Sequence, residues 1–208
     1  ELVRSLVGFF LLFLLFIGLF IFVVPSTHQS SKIAEKIKSI KNEKVTYVAI
    51  GDSLTQGVGD SSNQGGFVPV LSQALESDFD WQVTSRNYGI AGNTSNQILK
   101  RVQEKKDIQR DLKKAKVMTL TVGGNDVIHV IKDNITNLNV DTFTKPAQAY
   151  QKRLGQIIEL SRKDNKTLPI YIVGIYNPFY LNFPEMTEMQ TIVDNWNQST
   201  EEVCKKYD

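Results

Sequence analysis

An uncharged apolar run dominates the beginning of the chain. Residues 6–24, LVGFFLLFLLFIGLFIFVV, contain 19 residues without a charge, and their only non-apolar positions are glycines. A helix of about 20 such residues crosses the roughly 30 Å hydrocarbon core of a bilayer. A cleaved signal peptide has a shorter apolar region of about 7–15 residues and small residues before the cleavage site. Since VVPSTHQS supplies no such site, the pattern favours an uncleaved membrane anchor within residues 1–25 over a signal segment.

A polar stretch, residues 26–44, follows the apolar run and reads as a stalk. Ile33, Ile37 and Ile40 recur at helical spacing, which predicts a short amphipathic helix that is either solvated or laid against anionic headgroups. Five lysines follow the apolar run and one arginine precedes it, so the positive-inside rule alone would place the rest of the chain in the cytoplasm. Because that rule weakens for large translocated domains, we expect a single-pass membrane protein with its domain on the extracellular side.

From residue 45 onward, short apolar runs alternate with segments of helical spacing. Strands are predicted at 45–50 and 81–87 and within AKVMTLTVGGND and LPIYIVGIYNPF, and helices at 67–77, 95–105, 148–163 and 186–206. Strands that alternate with helices are typical of an α/β domain with a mostly parallel sheet. The sequence therefore predicts one such domain over residues 45–208.

The composition argues against a nucleic-acid-binding protein and against a cysteine-based metal site. A net charge of +2 with 22% charged residues, and no basic block interleaved with aromatic residues, gives no indication of nucleic-acid binding. Cys204 is the only cysteine, so the chain forms no internal disulfide and has no cysteine pair with metal-ligand spacing. We therefore expect no metal, no cofactor and no nucleic-acid partner.

The predicted strands end in glycine followed by hydrogen-bonding residues. Ser53 follows the first strand, Gly92 lies in the loop after the second, and Asn125 lies in the loop after the third. Because ligands of open parallel sheets bind beyond the carboxyl ends of the strands, these residues are expected at one site. A serine nucleophile with the N–H groups of Ser53 and Gly92 and the amide of Asn125 suits acyl transfer, which needs fixed donors for an oxyanion.

Three motifs carry a family resemblance over residues 45–208. GDSL at 51–54, Gly92 within GIAGNT and GGND at 123–126 resemble, in order and spacing, three sequence blocks of the SGNH, or GDSL, hydrolase superfamily, and bacterial GDSL-like lipase/acylhydrolases most closely. The resemblance implies a flavodoxin-like three-layer α/β/α fold. It also implies an esterase acting on a lipid or an acylated envelope component, with Ser53 as nucleophile and with Ser53, Gly92 and Asn125 as the oxyanion hole.

The base that would activate Ser53 has no clear candidate in the sequence. The family places Asp and His together in a D-x-x-H block near the C-terminus, whereas this chain contains only His28 and His129. Residues 126–129 have the D-x-x-H pattern, but they overlap the Asn125 block. They are therefore weaker candidates for the catalytic Asp and His. We expect the Asp and His to follow residue 208, and residues 1–208 alone to be nearly inactive.

Other interpretations stay open at this point. Ser53 could cap a helix, Gly92 could serve a turn, and Asn125 could brace its loop, while Asp52 and Asp126 are expected to stabilise turns. At the level of function, the same residues suit an O-acetyltransferase or deacetylase of the envelope. A membrane-anchored binding protein with a decayed site is a third possibility.

The anchor prediction is tested by cell fractionation and by protease treatment of intact spheroplasts. We expect the protein in the membrane fraction, uncleaved near Ser26, and its domain digested by external protease. A processed form released into the medium would contradict the anchor, and protection from protease would contradict the extracellular orientation.

Overall fold

Four parallel strands form the centre of the domain. The computed structural model describes residues 43–134, 136, 139–177 and 187–207, so the predicted anchor and the isoleucines of the stalk lie outside the described residues. The elements, in chain order, are β1 (Glu43–Gly51), α1 (Ser53–Gln56), α2 (Phe67–Phe79), β2 (Trp81–Gly89), α3 (Ser95–Glu104), α4 (Lys106–Lys114), β3 (Ala115–Thr121), α5 (Gly124–Asp133), a 3-10 helix (Val140–Phe143), α6 (Thr144–Ser161), β4 (Ile170–Val173) and α7 (Thr187–Tyr207).

The strand order is β2-β1-β3-β4, and all pairs are parallel. This order is that of the first four strands of a flavodoxin-like sheet. The predicted α/β domain with a parallel sheet is thus confirmed. Among the described helices, none is long and apolar enough to cross a membrane.

Alternating side chains of β1 build two layers of core. Tyr47 and Ala49 pack under α2 together with Val68, whereas Val48 and Ile50 face the larger core on the opposite side of the sheet. All four are completely buried, which is why β1 reads as a continuous apolar run rather than an alternating one. The sheet therefore lies between α2 on one face and a layer of α3, α4, α6 and α7 side chains on the other.

Several predicted boundaries differ from the structure. Glu43 and Lys44, assigned to the stalk by their polarity, already pair with Trp81 and Gln82, so β1 begins two residues earlier than predicted. The apolar run of the fourth strand continues past Val173, but β4 ends there. Val173 pairs with Thr121, the last residue of β3, so the partner strand ends at the same point. Beyond it, the side-chain amide of Asn197 on α7 donates to the Ile175 carbonyl at 2.8 Å and accepts from the Ile175 N–H at 2.9 Å.

Two glycines at the strand ends allow β1 and β2 to reach the first turn. A Cβ on Gly51 would lie 2.1 Å from Thr121 Oγ1, and a Cβ on Gly89 would lie 2.1 Å from the Gln56 backbone nitrogen. Gly51 and Gly89 are also partners in the parallel register. Any side chain at either position would therefore push α1 away from the sheet.

We predict that Gly89→Ala destabilises the domain by at least about 2 kcal/mol, because overpacking against backbone cannot be relieved by a rotamer change. Urea unfolding measures the change in the free energy of unfolding. Gly124→Ala is the matched control: its Cβ would come no closer than 3.8 Å to Ile175, so its stability should stay within about 0.5 kcal/mol of wild type. Equal stabilities of the two variants would contradict the close packing at Gly89.

Candidate active site

Ser53 begins the short helix α1 at the end of the central strand. Asp52 is the N-cap of this helix, and its carboxylate accepts the Leu54 N–H at 3.1 Å. The capping role that Ser53 could have served is therefore filled by Asp52. Ser53 is half-buried, and among the described residues no group hydrogen-bonds to its hydroxyl. The turn thus presents a serine side chain that the fold does not use.

Thr121, the last residue of β3, joins the first turn to the third strand. Its hydroxyl donates to Asp52 Oδ1 at 2.8 Å and accepts from the Asp52 N–H at 3.1 Å. Thr55 Oγ1 lies 2.8 Å from Thr121 Oγ1 and donates to the Ile50 carbonyl at 3.3 Å. Since the proton of Thr121 goes to the carboxylate, the single proton of Thr55 faces both the Ile50 carbonyl and Thr121 Oγ1. All of these groups except Leu54 are buried, so they form a satisfied polar cluster beneath α1.

The loop after β2 makes a tight turn around Gly92. The Asn93 N–H donates to the Ile90 carbonyl at 3.2 Å, and Gly92 has a φ of +77°, the conformation of the third residue of a type II turn. This turn is fastened to α1, because the Ala91 N–H donates to Gln56 Oε1 at 2.6 Å. A Cβ on Gly92 would meet no atom within 4 Å. Conformation, and not crowding, is the reason for glycine here.

Asn125 lies in the first turn of α5, directly after the end of β3. Its Nδ2 donates one N–H to the Asn93 carbonyl at 3.0 Å, which connects it to the Gly92 turn. An amide nitrogen carries two N–H groups, so the second remains for another acceptor. The structure thus brings the three predicted residues to one edge of the sheet: Ser53 is tied to the Gly92 turn through α1, and Asn125 is tied to it directly.

The geometry provides donors without partners in the protein. The Ser53 N–H belongs to the first turn of a helix, where backbone N–H groups have no intrahelical acceptor. Within the described chain neither this N–H nor that of Gly92 makes a hydrogen bond. With the second N–H of Asn125, they are the donors that an oxyanion would require.

Asn93 is half of a buried polar pair that supports the turn. Its Oδ1 accepts from Arg101 Nη1 at 3.0 Å, and Arg101 Nη2 donates to the Tyr88 carbonyl at 2.6 Å. Burial lowers the pKa of the Arg101 guanidinium, and the negative charge of Asp107 opposes that effect. The guanidinium therefore cross-links the end of β2 to the loop that follows it.

His129, the histidine of the described residues, does not form a dyad with Asp126. The Asp126 carboxylate is buried and accepts hydrogen bonds from Ser95 and Arg153. His129 lies on the exposed face of α5, and within the described residues its ring makes no hydrogen bond to Ser53. The overlap of D-x-x-H with the Asn125 block is therefore a coincidence of spacing, and His28 lies outside the described residues.

A self-contained loop, residues 57–66, connects α1 to α2. The Asp60 carboxylate holds it together by accepting from the Ser62 hydroxyl and N–H, the Gln64 N–H and the Gly66 N–H, at 2.5 to 3.0 Å. The hydrogen bonds of Ser62 and Gly66 place the pKa of Asp60 well below its usual range. The two ends of this loop meet, because a Cβ on Gly66 would lie 2.7 Å from the Gly57 Cα.

In the described part of the chain, no group of three or more His, Cys, Asp or Glu side chains could hold a metal ion. The residues that sequence reasoning missed are the supporting ones: Thr121, Asn93, Arg101 and Arg153. Thr121 directly precedes the VGGND segment, which was a usable signal. The partners of the two arginines were not readable from spacing, because the fold alone brings them together.

Comparison with known proteins assigns the chain to a family. Residues 49–208 match the GDSL-like Lipase/Acylhydrolase family. The chain is 33% identical over 183 residues to the uncharacterized protein YpmR of Bacillus subtilis, covering 87% of this chain and 71% of that protein. It is 30% identical over 138 residues to the spore germination lipase LipC of Bacillus licheniformis, covering 64% of each. The crystal structure of the lipase Lip_vut3 from a goat rumen metagenome superposes with a TM-score of 0.67 at 25% identity, covering 74% of this chain and 73% of that one.

Proposed function

The chain belongs to the GDSL-like lipase/acylhydrolase family, and we propose that it is a serine esterase that cleaves carboxylic esters through an acyl-serine intermediate. The observation that carries the proposal is the hydrogen bond from Asn125 to the Asn93 carbonyl. This bond joins two of the three motif-bearing loops at the edge where Ser53 begins its helix. Membership of this family supports a hydrolase with esterase or lipase relatives. The residue roles below are our proposal.

In the proposed reaction, Ser53 Oγ attacks the ester carbonyl carbon while its proton passes to a base. The carbonyl oxygen becomes an oxyanion that accepts from the Ser53 N–H, the Gly92 N–H and the Asn125 amide. Collapse of the tetrahedral intermediate breaks the bond to the leaving oxygen, which leaves as the alcohol after taking up a proton. Water then attacks the acyl-serine in the same way and releases the carboxylic acid and free Ser53.

Asp52 has a supporting role in this proposal. Its carboxylate is committed to the Leu54 N–H and the Thr121 hydroxyl, so it holds the nucleophile turn rather than accepting the serine proton. Rigid support of this kind matters because an oxyanion hole is effective only when its donors are fixed before the reaction.

The surroundings of the site favour an ester with an apolar part. Four of the exposed large apolar side chains lie within the motifs or within four residues of them in the chain: Leu54, Val58, Ile90 and Ile128. Exposed apolar residues grouped around a site indicate an apolar ligand more than isolated ones elsewhere do. We therefore propose a lipid or acylated envelope component as substrate, encountered at the membrane if residues 6–24 anchor the protein. The apolar sequence YNPFYLNF at 176–183 is equally a candidate acyl pocket or strand-end packing, and its residues 178–183 lie outside the described residues.

The nucleophile is tested with a fluorophosphonate probe on the full-length natural protein. We expect labelling of wild type, mapped to Ser53 by mass spectrometry, and none in Ser53→Ala. Ser61→Ala, a substitution of an exposed loop serine nearby, is the control and should label normally. Labelling that persists in Ser53→Ala would refute the proposed nucleophile.

The oxyanion hole is tested by Asn125→Ala. If the amide holds the oxyanion, kcat for p-nitrophenyl acetate should fall by about 10²–10³-fold, the usual effect of losing one donor. KM should change little, because the interaction strengthens in the transition state. Asn125→Asp should be at least as damaging, since a carboxylate repels the developing charge.

The matched control is Asn165→Ala. The Asn165 amide also donates to backbone carbonyls, those of Leu112 and Ala115, but at the start of β3, the opposite end of the sheet. Its loss should lower stability and leave kcat of the folded protein near wild type. A normal kcat in Asn125→Ala would remove Asn125 from the proposed site and leave it as a loop brace.

A further inference from the structure

We propose that Asp126, acting through Ser95 and Arg153, is a positioning residue that sets the separation of the two oxyanion-hole loops. The proposal rests on the proposed function, since it concerns how Gly92 and Asn125 are held. Asp126 directly follows Asn125, and Ser95 lies three residues after Gly92. A link between Asp126 and Ser95 therefore joins the two loops just behind their proposed functional atoms.

The link is short and buried. Asp126 Oδ2 accepts the Ser95 N–H at 2.8 Å, and Asp126 Oδ1 accepts the Ser95 hydroxyl at 2.5 Å. Ser95 is fully buried, and Asp126 is 7% exposed. One carboxylate thus binds both the backbone and the side chain of the same residue, which restricts rotation as well as distance.

Arg153 completes the arrangement from α6. Its Nε donates to Ser95 Oγ at 2.7 Å, and its Nη2 lies 3.2 Å from Asp126 Oδ1. The guanidinium provides a positive partner for a carboxylate that would otherwise be buried without compensation. It also orients the Ser95 hydroxyl, because an oxygen that accepts from Arg153 must turn its own proton toward Asp126.

A second link runs parallel to the first. The Asn125 amide donates to the Asn93 carbonyl at 3.0 Å, so adjacent residues of one loop bind residues two positions apart in the other. A single hydrogen bond lets the two segments pivot, whereas two together do not. The carboxylate link therefore keeps the Asn125 amide in register with the Gly92 turn.

Helix capping accounts for only part of the contact. The capping box of α3 serves the backbone groups of Thr94 and Gln97, and Asp126 accepts the remaining N–H of Ser95, the first helical residue. An acceptor for that N–H does not need the further bonds of Asp126 to the Ser95 hydroxyl and to Arg153. These additional bonds are the ones that point to a positioning role.

The test is Asp126→Asn in the full-length protein, assayed with p-nitrophenyl acetate. Asparagine keeps the shape but turns an NH2 group toward one of the Ser95 donors and weakens the attraction to Arg153. We expect kcat of the folded fraction to fall by up to about 10²-fold, the effect of a misplacement near 1 Å, with KM little changed.

Asp111→Asn is the matched control, because Asp111 is equally buried and paired with Arg110 and Arg86 but lies on α4. It should lose stability and retain kcat.

A double-mutant cycle separates positioning from general loss of structure. If Asp126 acts by placing Asn125, the fold-loss of kcat caused by Asp126→Asn should be at least about 5-fold smaller when Asn125→Ala is already present. Losses that multiply independently, or a kcat of Asp126→Asn within about 3-fold of wild type, would overturn the proposal. If Asp126→Asn does not fold, Ser95→Ala replaces it in the same cycle and is judged by the same criteria.

Failure of the proposed function has a different signature. It would show as esterase activity that survives Ser53→Ala, or as a wild-type protein without esterase activity. A Ser53-dependent activity that is insensitive to Asp126→Asn would refute the positioning role alone.

Discussion

The ends of β1 and β3 approach each other so closely that no side chain fits between them at Gly51. Thr121 Oγ1 fills that space and binds the Asp52 backbone and carboxylate, and Thr55 binds Thr121 in turn. The position of α1 follows from this contact, and the position of Ser53 follows from α1. Gly89 repeats the condition from the other side, where β2 lies against the backbone of the same helix. The position of the first turn therefore depends on the absence of side chains at Gly51 and Gly89 as much as on hydrogen bonds.

Beyond this contact, the site is supported by buried polar groups rather than by apolar packing. Arg101 links Asn93 and the Tyr88 carbonyl within one stretch of chain, whereas Arg153 links α6 to Asp126, 27 positions away. A buried charge is expensive unless it is paired and hydrogen-bonded, and Arg153 provides that partner for the Asp126 carboxylate. An apolar contact tolerates small displacements, whereas a network of short directional bonds does not. The loops at this edge are consequently held in one arrangement before any substrate arrives.

The central strands and the strand-end motifs were predictable because each has a local signal. Continuous apolar runs identified β1 and β3, and glycine-bounded turns placed Ser53, Gly92 and Asn125 at one edge. The helix predicted at 95–105 matches α3, but no helix was predicted over 106–114, where α4 forms. Nor did the sequence predict that β4 would end at Val173, since that end is set by the end of its partner strand β3 at Thr121.

The partners of the supporting residues could not be predicted from the sequence, for a related reason. Thr121 and Asp52 are 69 positions apart, and Asp126 and Arg153 are 27 apart. A single sequence contains no information that pairs such residues. A polar residue next to a motif can be recognised as important, but its partner becomes visible only in the folded chain.

The loop 57–66 leaves and re-enters the domain at almost the same point, where Gly57 and Gly66 touch. Its interior contacts run to Asp60, a member of the loop itself. The entropy of closing such a loop rises only slowly with its length, by about 0.6 kcal/mol for each doubling. The domain can therefore accept longer or shorter loops here while α1 and α2 keep their places. Evolution could therefore change the length of this segment, provided that Gly57 and Val58 keep their N–H bonds to the Ser53 carbonyl.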